Sequence, residues 1–150
     1  MKLSTKGRYG VRAMFDLAQH IGEGPVSLKI IAKRQGISEH YLEQLFAGLR
    51  KNGLVKSVRG AQGGYTLGRE PENIYVGEII RVLEGPLAPV DCVAEENPEN
   101  CHKAESCVTR MIWERVRDSI AGVIDSITLA DMVENAVNKK FETGLFMYHI

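Results

Sequence analysis

Apolar residues in the first half of the chain recur at intervals of three and four, which is the spacing of an amphipathic helix. Ser4 or Thr5 can cap the first such helix. Its apolar face would consist of Gly10, Ala13, Met14, Leu17, Ala18 and Ile21. Residues 22–25, two glycines and a proline among them, end it. Ser27 caps a second, short helix that runs out at Gly36.

A third amphipathic helix follows the turn QGIS. Ser38 can cap it and Gly53 can stop it. Its apolar positions are Tyr41, Leu42, Leu45, Phe46 and Leu49. Two short helices joined by such a turn have the proportions of a helix-turn-helix, whose second helix enters the DNA major groove. Other small helical bundles share this spacing, so the pattern alone does not establish DNA binding.

A β-hairpin is predicted directly after the third helix. Residues 54–58 and 65–67 alternate like strands, and RGAQGG at 59–64 is a glycine-rich turn between them. A hairpin in this position is the wing of a winged helix. Arg59 and Gln62 lie at its tip, where glycines allow the backbone to approach a groove closely. The predicted fold class is therefore mostly α with a small β-hairpin wing.

The second half is predicted to be helical on either side of a polar loop. Residues 74–83 favour a short helix, and GPLAP at 85–89 a stiff connector. A long helix follows, with an apolar stripe formed by Met111, Ile112, Val116, Ser119, Ile120, Val123, Ile124 and Ile127. We expect this stripe to cross a second copy in a two-fold dimer, with packing on the chain's own body as the alternative. Thr128 and Asp131 can cap a terminal helix that reaches about Val137.

These elements divide the chain into four regions. The expected regions are a winged helix-turn-helix domain at 1–85 (the head), a cysteine-bearing loop at 86–110, a dimerisation helix at 111–128, and a C-terminal helix and tail at 129–150. Charge divides it similarly: residues 1–69 contain twelve Lys and Arg against four Asp and Glu, and residues 70–150 contain seven against fifteen. A basic head favours a nucleic-acid partner. The absence of a long apolar run predicts a cytoplasmic protein with no membrane partner.

The polar residues of the third helix are the candidates for reading bases. Gln44 can pair with adenine, and Glu43 can accept a hydrogen bond from the cytosine amino group, with His40 and Tyr41 beside them. A carboxylate that faces DNA costs affinity, so Glu43 would act through specificity; alternatively, both residues are ordinary solvated positions. The remaining candidate DNA contacts are Lys6, Lys29, Lys33, Arg50, Lys51, Lys56, Arg59 and Gln62.

All three cysteines, Cys92, Cys101 and Cys107, fall within one polar stretch. Its composition cannot bury a helix or strand face, so something other than packing must order it. Clustered thiols in a reducing compartment favour zinc, cuprous copper or an iron–sulfur cluster. Chance clustering, or one disulfide with a thiol left over, is the alternative. No CxxC pair, Ser-His-Asp arrangement or P-loop is present, so an enzyme is not expected.

Three stretches carry a resemblance to a known family: KGRYGVRAM, ISEHYLEQLFAGLRKNGLVKSVRGAQGGYTLG and VGEIIRVLEG. They are similar to the winged-helix family of IscR-type iron–sulfur cluster regulators, and the likeness extends to residue 129. It implies a homodimeric bacterial repressor of iron–sulfur biogenesis genes that binds a near-palindromic operator on double-stranded DNA. It also implies [2Fe-2S] ligands at Cys92, Cys101 and Cys107, base-reading residues at Glu43 and Gln44, and a minor-groove contact at Arg59.

The cysteine spacing departs from that family's pattern. Eight residues separate Cys92 from Cys101, where the family has five. The family's histidine ligand falls on Arg110, which is not a usable donor at neutral pH. The carboxylate that the family's nitric-oxide sensor takes from near the partner's N-terminus falls on Arg8. A fourth ligand could be a backbone group, water, a small thiol, or one of His102, Glu96, Glu99 and Glu105.

Two alternatives within the same fold remain open. The head and the ending FMYHI also resemble CymR-type repressors of cysteine metabolism, which work with a cysteine-synthesis enzyme and lack a cluster. A redox or nitric-oxide sensor of the same family is the other alternative. The three cysteines favour the cluster regulator over the CymR type.

Overall fold

The computed structural model describes residues 2–96 and 101–148. Within these ranges the chain forms mostly α-helices and one antiparallel hairpin, as the sequence predicts. The elements are α1 (Thr5–Gln19), α2 (Leu28–Gln35), α3 (Glu39–Lys51), β1 (Val55–Val58), β2 (Gly64–Leu67), α4 (Val76–Glu84), α5 (Val108–Ile124) and α6 (Leu129–Tyr148). No helix within these ranges is both long and apolar enough to cross a membrane.

Side-chain caps fix the starts of α2 and α3. The Ser27 hydroxyl accepts a hydrogen bond from the Ile30 N–H at 3.3 Å, and the Ser38 hydroxyl accepts one from Tyr41 N–H at 3.1 Å. Between the two helices, Gly36 adopts a left-handed conformation with a φ of 66°, which other residues adopt only with strain. The predicted helix-turn-helix is therefore set locally, by caps and one glycine.

The wing is joined to the head through the linker that precedes α2. Val55 lies opposite Leu67 and Val58 opposite Gly64 in the hairpin. Tyr65 exchanges two backbone hydrogen bonds with Val26, at 2.8 and 3.0 Å. The backbone at Val26 therefore acts as a third strand-like segment beside the hairpin. Such an addition stabilises a two-stranded ribbon, which is marginal by itself.

The core lies between α1, α3, α4 and the start of α6. Its largest buried side chains include Met14, Phe46, Leu49, Ile79 and Leu129. The apolar face expected for α1 is buried as far as Ala18, but Ile21 is 54% exposed, so its assignment to that face was wrong. The reason is that α1 ends at Gln19, before Ile21 can follow the helical period.

The last two helices differ from their expected bounds. α5 begins at Val108, with Cys107 at its N-cap, and ends at Ile124. α6 continues to Tyr148, well past the expected end near Val137. The predicted cap is present: the Thr128 N–H donates to Asp131 at 2.9 Å, and the Asp131 N–H donates to the Thr128 hydroxyl at 3.1 Å.

Candidate functional site

The buried carboxylate of Asp16 on α1 fixes the position of α2. Asp16 is 1% exposed and accepts hydrogen bonds from Arg34 Nη1 and Gln35 Nε2, both at 3.0 Å. Arg12 also donates to the Gln35 carbonyl. Because these partners sit at the end of α2, the turn into α3 is held at a fixed position on α1.

The outer face of α3 carries the residues predicted to read bases. His40 Nδ1 lies 3.8 Å from Glu43 Oε2, and its Nε2 lies 3.4 Å from Gln44 Nε2. His40, Glu43 and Gln44 are all exposed, and Tyr41 is half-buried at the edge of the core. The structure therefore brings these four side chains to one surface.

An aromatic and basic cluster lies next to the start of α3. The rings of Tyr9 and Tyr41 meet edge to face with their centroids 6.0 Å apart. The guanidinium groups of Arg8 and Arg12 lie 5.9 and 5.4 Å from the Tyr9 ring centroid. Arg12 is not among the DNA contacts predicted from the sequence, and Arg8 appears there only at the position of the nitric-oxide sensor's carboxylate ligand. Two basic residues four apart on α1, with a tyrosine between them, were the available signal.

Basic residues continue the exposed surface along the head and onto the wing. All the predicted contacts outside α3 and its edge are exposed, namely Lys6, Lys29, Lys33, Lys56, Arg59 and Gln62. The same holds for Arg50 and Lys51 at the end of α3. Exposed cations on one domain attract phosphates without reading sequence. Within the described residues, every proposed DNA contact is therefore accessible or at the edge of the surface.

The first cysteine is held on a well-anchored turn. Cys92 lies in the 3-10 turn Asp91–Val93, beside Val93, which is only 1% exposed. Arg117 Nη1 donates to the Val93 carbonyl at 3.1 Å, and Arg110 Nη2 donates weakly to the Cys92 carbonyl at 3.5 Å. Two arginines of α5 thus hold this turn against the helix.

The third cysteine occupies the N-cap of α5. Cys107 Sγ lies 3.2 Å from the Thr109 hydroxyl. That hydrogen bond, together with the backbone N–H of Arg110, lowers the pKa of the Cys107 thiol. The thiolate that metals bind is therefore favoured at this position.

Cys101 lies on the exposed side of the same segment. It is exposed, as are the fourth-ligand candidates Glu96, His102 and Glu105, whereas Glu99 lies outside the described residues. Over residues 2–96 and 101–148, no group of three or more His, Cys, Asp or Glu side chains lies close enough together to hold a metal ion.

The three cysteine thiols suit a soft metal by their chemistry, although the structure does not bring them together at one point within the described residues. All three thiols are free. The Nε–H of Arg110 is buried and finds no acceptor among the described residues. Arg110 hydrogen-bonds the Cys92 carbonyl and lies three residues after Cys107, so its Nε–H is close to the cysteine segment. An anionic acceptor bound there, such as sulfide or thiolate, would satisfy this N–H.

Comparison with known proteins identifies the family. The model of the Rrf2 family, described as an iron-dependent transcriptional regulator, matches residues 3–135. The transcriptional regulator CymR of Bacillus subtilis is 54% identical over 132 residues, which cover 88% of this chain and 89% of the relative. IscR of Serratia proteamaculans is 47% identical over 135 residues, which cover 90% and 80%. These relatives are regulators and not enzymes.

Solved structures confirm the winged-helix fold. The structure of CymR from B. subtilis matches with a TM-score of 0.75 at 52% identity, covering 90% of this chain and 98% of that chain. T. potens IscR matches with a TM-score of 0.74 at 62% identity, covering 91% and 88%. The chain therefore belongs to the Rrf2 family of DNA-binding transcriptional regulators.

Proposed function

We propose that this chain is a homodimeric repressor of iron–sulfur cluster biogenesis genes whose DNA binding responds to a cluster held by Cys92, Cys101 and Cys107. The observation that carries the proposal is that three free thiols lie on one polar segment, which two arginines of α5 anchor at Cys92 and Val93. The iron-dependent description of the family and the 62% identity to T. potens IscR support it.

Dimerisation would follow from the uncovered face of α5. Val108, Met111, Ile112 and Val123 are between 50 and 71% exposed, and no residue of α5 is buried. A continuous apolar face is expected to be covered, and a two-fold crossing with a second α5 covers both copies at once. Two heads would then face the two half-sites of a near-palindromic operator.

Sequence reading would fall to the outer face of α3 and to the wing. Gln44 can pair with adenine, and Glu43 can accept a hydrogen bond from the cytosine amino group. Where no such donor faces it, the Glu43 carboxylate would disfavour binding. Arg59 at the wing tip would enter a narrow minor groove. The surrounding lysines would contribute affinity through phosphate contacts that do not depend on sequence.

The cofactor we propose is an iron–sulfur cluster, most simply [2Fe-2S], which when bound supplies chemistry that responds to iron and redox state. Cys92 and Cys107 are already held by Arg110, Arg117 and the start of α5, so Cys101 is the thiol that would complete the set. Arg110 stands where the family has its histidine ligand, and it would donate a hydrogen bond to the cluster or its ligands without binding iron itself. The fourth ligand would then be a loop side chain such as His102 or Glu105, a backbone group, water or a small thiol.

Anaerobic purification tests the cluster directly. Wild-type protein should be brown, with iron and sulfide in comparable amounts, and Cys92→Ala should lose both. Ser106→Ala, a neutral change beside Cys107, is the matched control and should keep the colour. Colourless wild-type protein that still binds a palindromic duplex would sink the cluster proposal and leave the DNA-binding function standing.

A CymR-like function is the second candidate, and the 54% identity to B. subtilis CymR favours it. In that case the signal would come from a cysteine-synthesis enzyme acting as partner. Ile150, the residue expected to matter for such a contact, lies outside the described residues. Capture of the enzyme by full-length protein, lost on deletion of Ile150, would support this candidate. Absence of capture with both forms would argue against it.

A further inference from the structure

One arginine joins the head, the cysteine segment and the end of α5. Arg81 on α4 donates to both carboxylate oxygens of Glu95, from Nε and Nη2 at 2.8 Å each. It also donates to both oxygens of Asp125, from Nη1 at 2.6 Å and from Nη2 at 3.0 Å. Its hydrogen bonds lower the pKa of Glu95. The planar guanidinium is the side chain suited to two such two-point contacts at once.

The backbone of α4 leaves room for this cluster. A Cβ on Gly77 would overlap Asp125 Oδ1 and lie 2.7 Å from Arg81 Nη1. Gly77 is in the first turn of α4, where a side chain would otherwise project toward the C-terminal end of α5. The close approach of Asp125 to α4 therefore depends on a missing side chain as well as on the charges.

Elsewhere, α5 is attached to the head loosely. Just beyond its end, Val76 N–H donates to the Ile127 carbonyl at 2.9 Å and Leu129 N–H to the Ile74 carbonyl at 3.0 Å. This pairing fixes the chain just beyond α5, whereas the body of α5 is tied to the 91–93 turn by Arg110 and Arg117. An open pocket of about 250 Å³ lies beside α4 and α5 and is lined in part by Ile80 and Ile120.

We propose that Arg81 is the positioning residue that fixes the angle of α5 on the head and so sets the separation of the two recognition helices in the dimer. Through Asp125, Arg81 holds the C-terminal end of α5. Through Glu95, three residues after Cys92, the cysteine segment contacts the same guanidinium. The inference rests on the proposed dimeric reading of two half-sites, and it holds for the protein with or without metal.

Half-site spacing tests this role in metal-free, reduced, full-length protein. A duplex selected with wild-type protein would be compared with duplexes whose centre is one base pair longer or shorter. Wild type should prefer its own spacing by about tenfold or more, since a displaced half-site loses its base contacts. Arg81→Met should reduce that preference to about threefold or less, because α5 can then swing. Loss of stability alone would lower all three affinities together.

Control variants separate the parts of the proposal. Arg69→Met makes the same charge change and breaks a 2.9 Å pair with Glu78, which lies on α4 like Arg81. Because this pair does not involve α5, the variant should keep the spacing preference. Asp125→Asn is the milder variant should Arg81→Met fail to fold, and it should lose the preference. Glu95→Gln should keep the preference but speed amide hydrogen exchange over residues 91–95.

The outcomes are distinct. An unchanged spacing preference in folded, dimeric Arg81→Met or in Asp125→Asn would overturn the role of Arg81 while leaving dimeric reading intact. A wild-type protein without any spacing preference would overturn dimeric reading, and this inference with it. Loss of the preference in Arg69→Met as well would show a general charge effect and would also overturn the role of Arg81.

Discussion

Glu84, the last residue of α4, caps the N-terminus of α1. Its Oε1 accepts the Gly7 backbone N–H at 3.0 Å and the Ser4 backbone N–H at 3.0 Å, and the Ser4 hydroxyl also donates to it. The Ser4 side chain makes no cap of its own to α1. A carboxylate at a helix N-terminus satisfies free N–H groups and the helix dipole together.

Replacing Glu84 should therefore weaken the whole head. Glu84→Ala is expected to lower the free energy of unfolding by about 0.5–2 kcal/mol, the usual cost of losing a cap. Urea unfolding followed by circular dichroism measures this. Glu134→Ala, at an exposed position of α6, is the control and should change it by less than about 0.5 kcal/mol. Equal effects of the two variants would contradict the cap.

Two glycine substitutions in helices should have opposite signs. Gly48→Ala in α3 places a Cβ 3.9 Å from Leu83, an ordinary contact, and should stabilise by about 0.5–1 kcal/mol. Gly77→Ala meets Asp125 and Arg81 and should destabilise by about 1–3 kcal/mol. Thermal and urea unfolding measure both. Stabilisation by Gly77→Ala would show that the cluster around Arg81 gives way easily.

The buried carboxylate under the helix-turn-helix should matter for both stability and DNA binding. Asp16→Ala leaves Arg34 and Gln35 without their acceptor and should cost about 1–3 kcal/mol of unfolding free energy. Because α2 is then loosely held, DNA affinity should fall as well. Glu23→Ala, which breaks the exposed pair with His20 at the end of α1, is the control and should leave both unchanged.

Arg59 should act through the shape of the minor groove. Arg59→Ala is expected to weaken binding most at operators whose wing contact is an A-tract, because a narrow groove attracts a guanidinium. Lys56→Ala should instead weaken all sequences alike and reduce the salt slope by about 1. Fluorescence anisotropy with matched duplexes compares the two. A uniform loss in both variants would make Arg59 a phosphate contact only.

Local signals predicted the head, since caps such as Ser27 and Ser38, and a glycine-rich turn between alternating strands, act within a few residues. Long-range contacts could not be predicted in this way. Arg81 and Asp125 are 44 positions apart, and nothing in the spacing of either indicates the other. The same applies to Asp16, whose burial depends on partners in the next helix.

The ends of helices were the least predictable part. Ile21 fits the apolar period of α1 but lies beyond the point where the helix stops. The terminal helix was expected to reach about Val137, yet residues such as Lys139 and Lys140 are good helix formers and α6 continues to Tyr148. The gathering of the three thiols, the DNA contacts and the dimer all depend on groups outside the single chain, so they stay predictions.

The most direct test of the account is the affinity of iron-loaded and iron-free protein for the same operators, measured anaerobically at two salt concentrations. If the cysteine segment is linked to DNA binding, the two forms should differ by about fivefold or more on at least one promoter, since typical coupling free energies are 1–3 kcal/mol. Equal affinities and equal salt slopes for both forms on every promoter would contradict it.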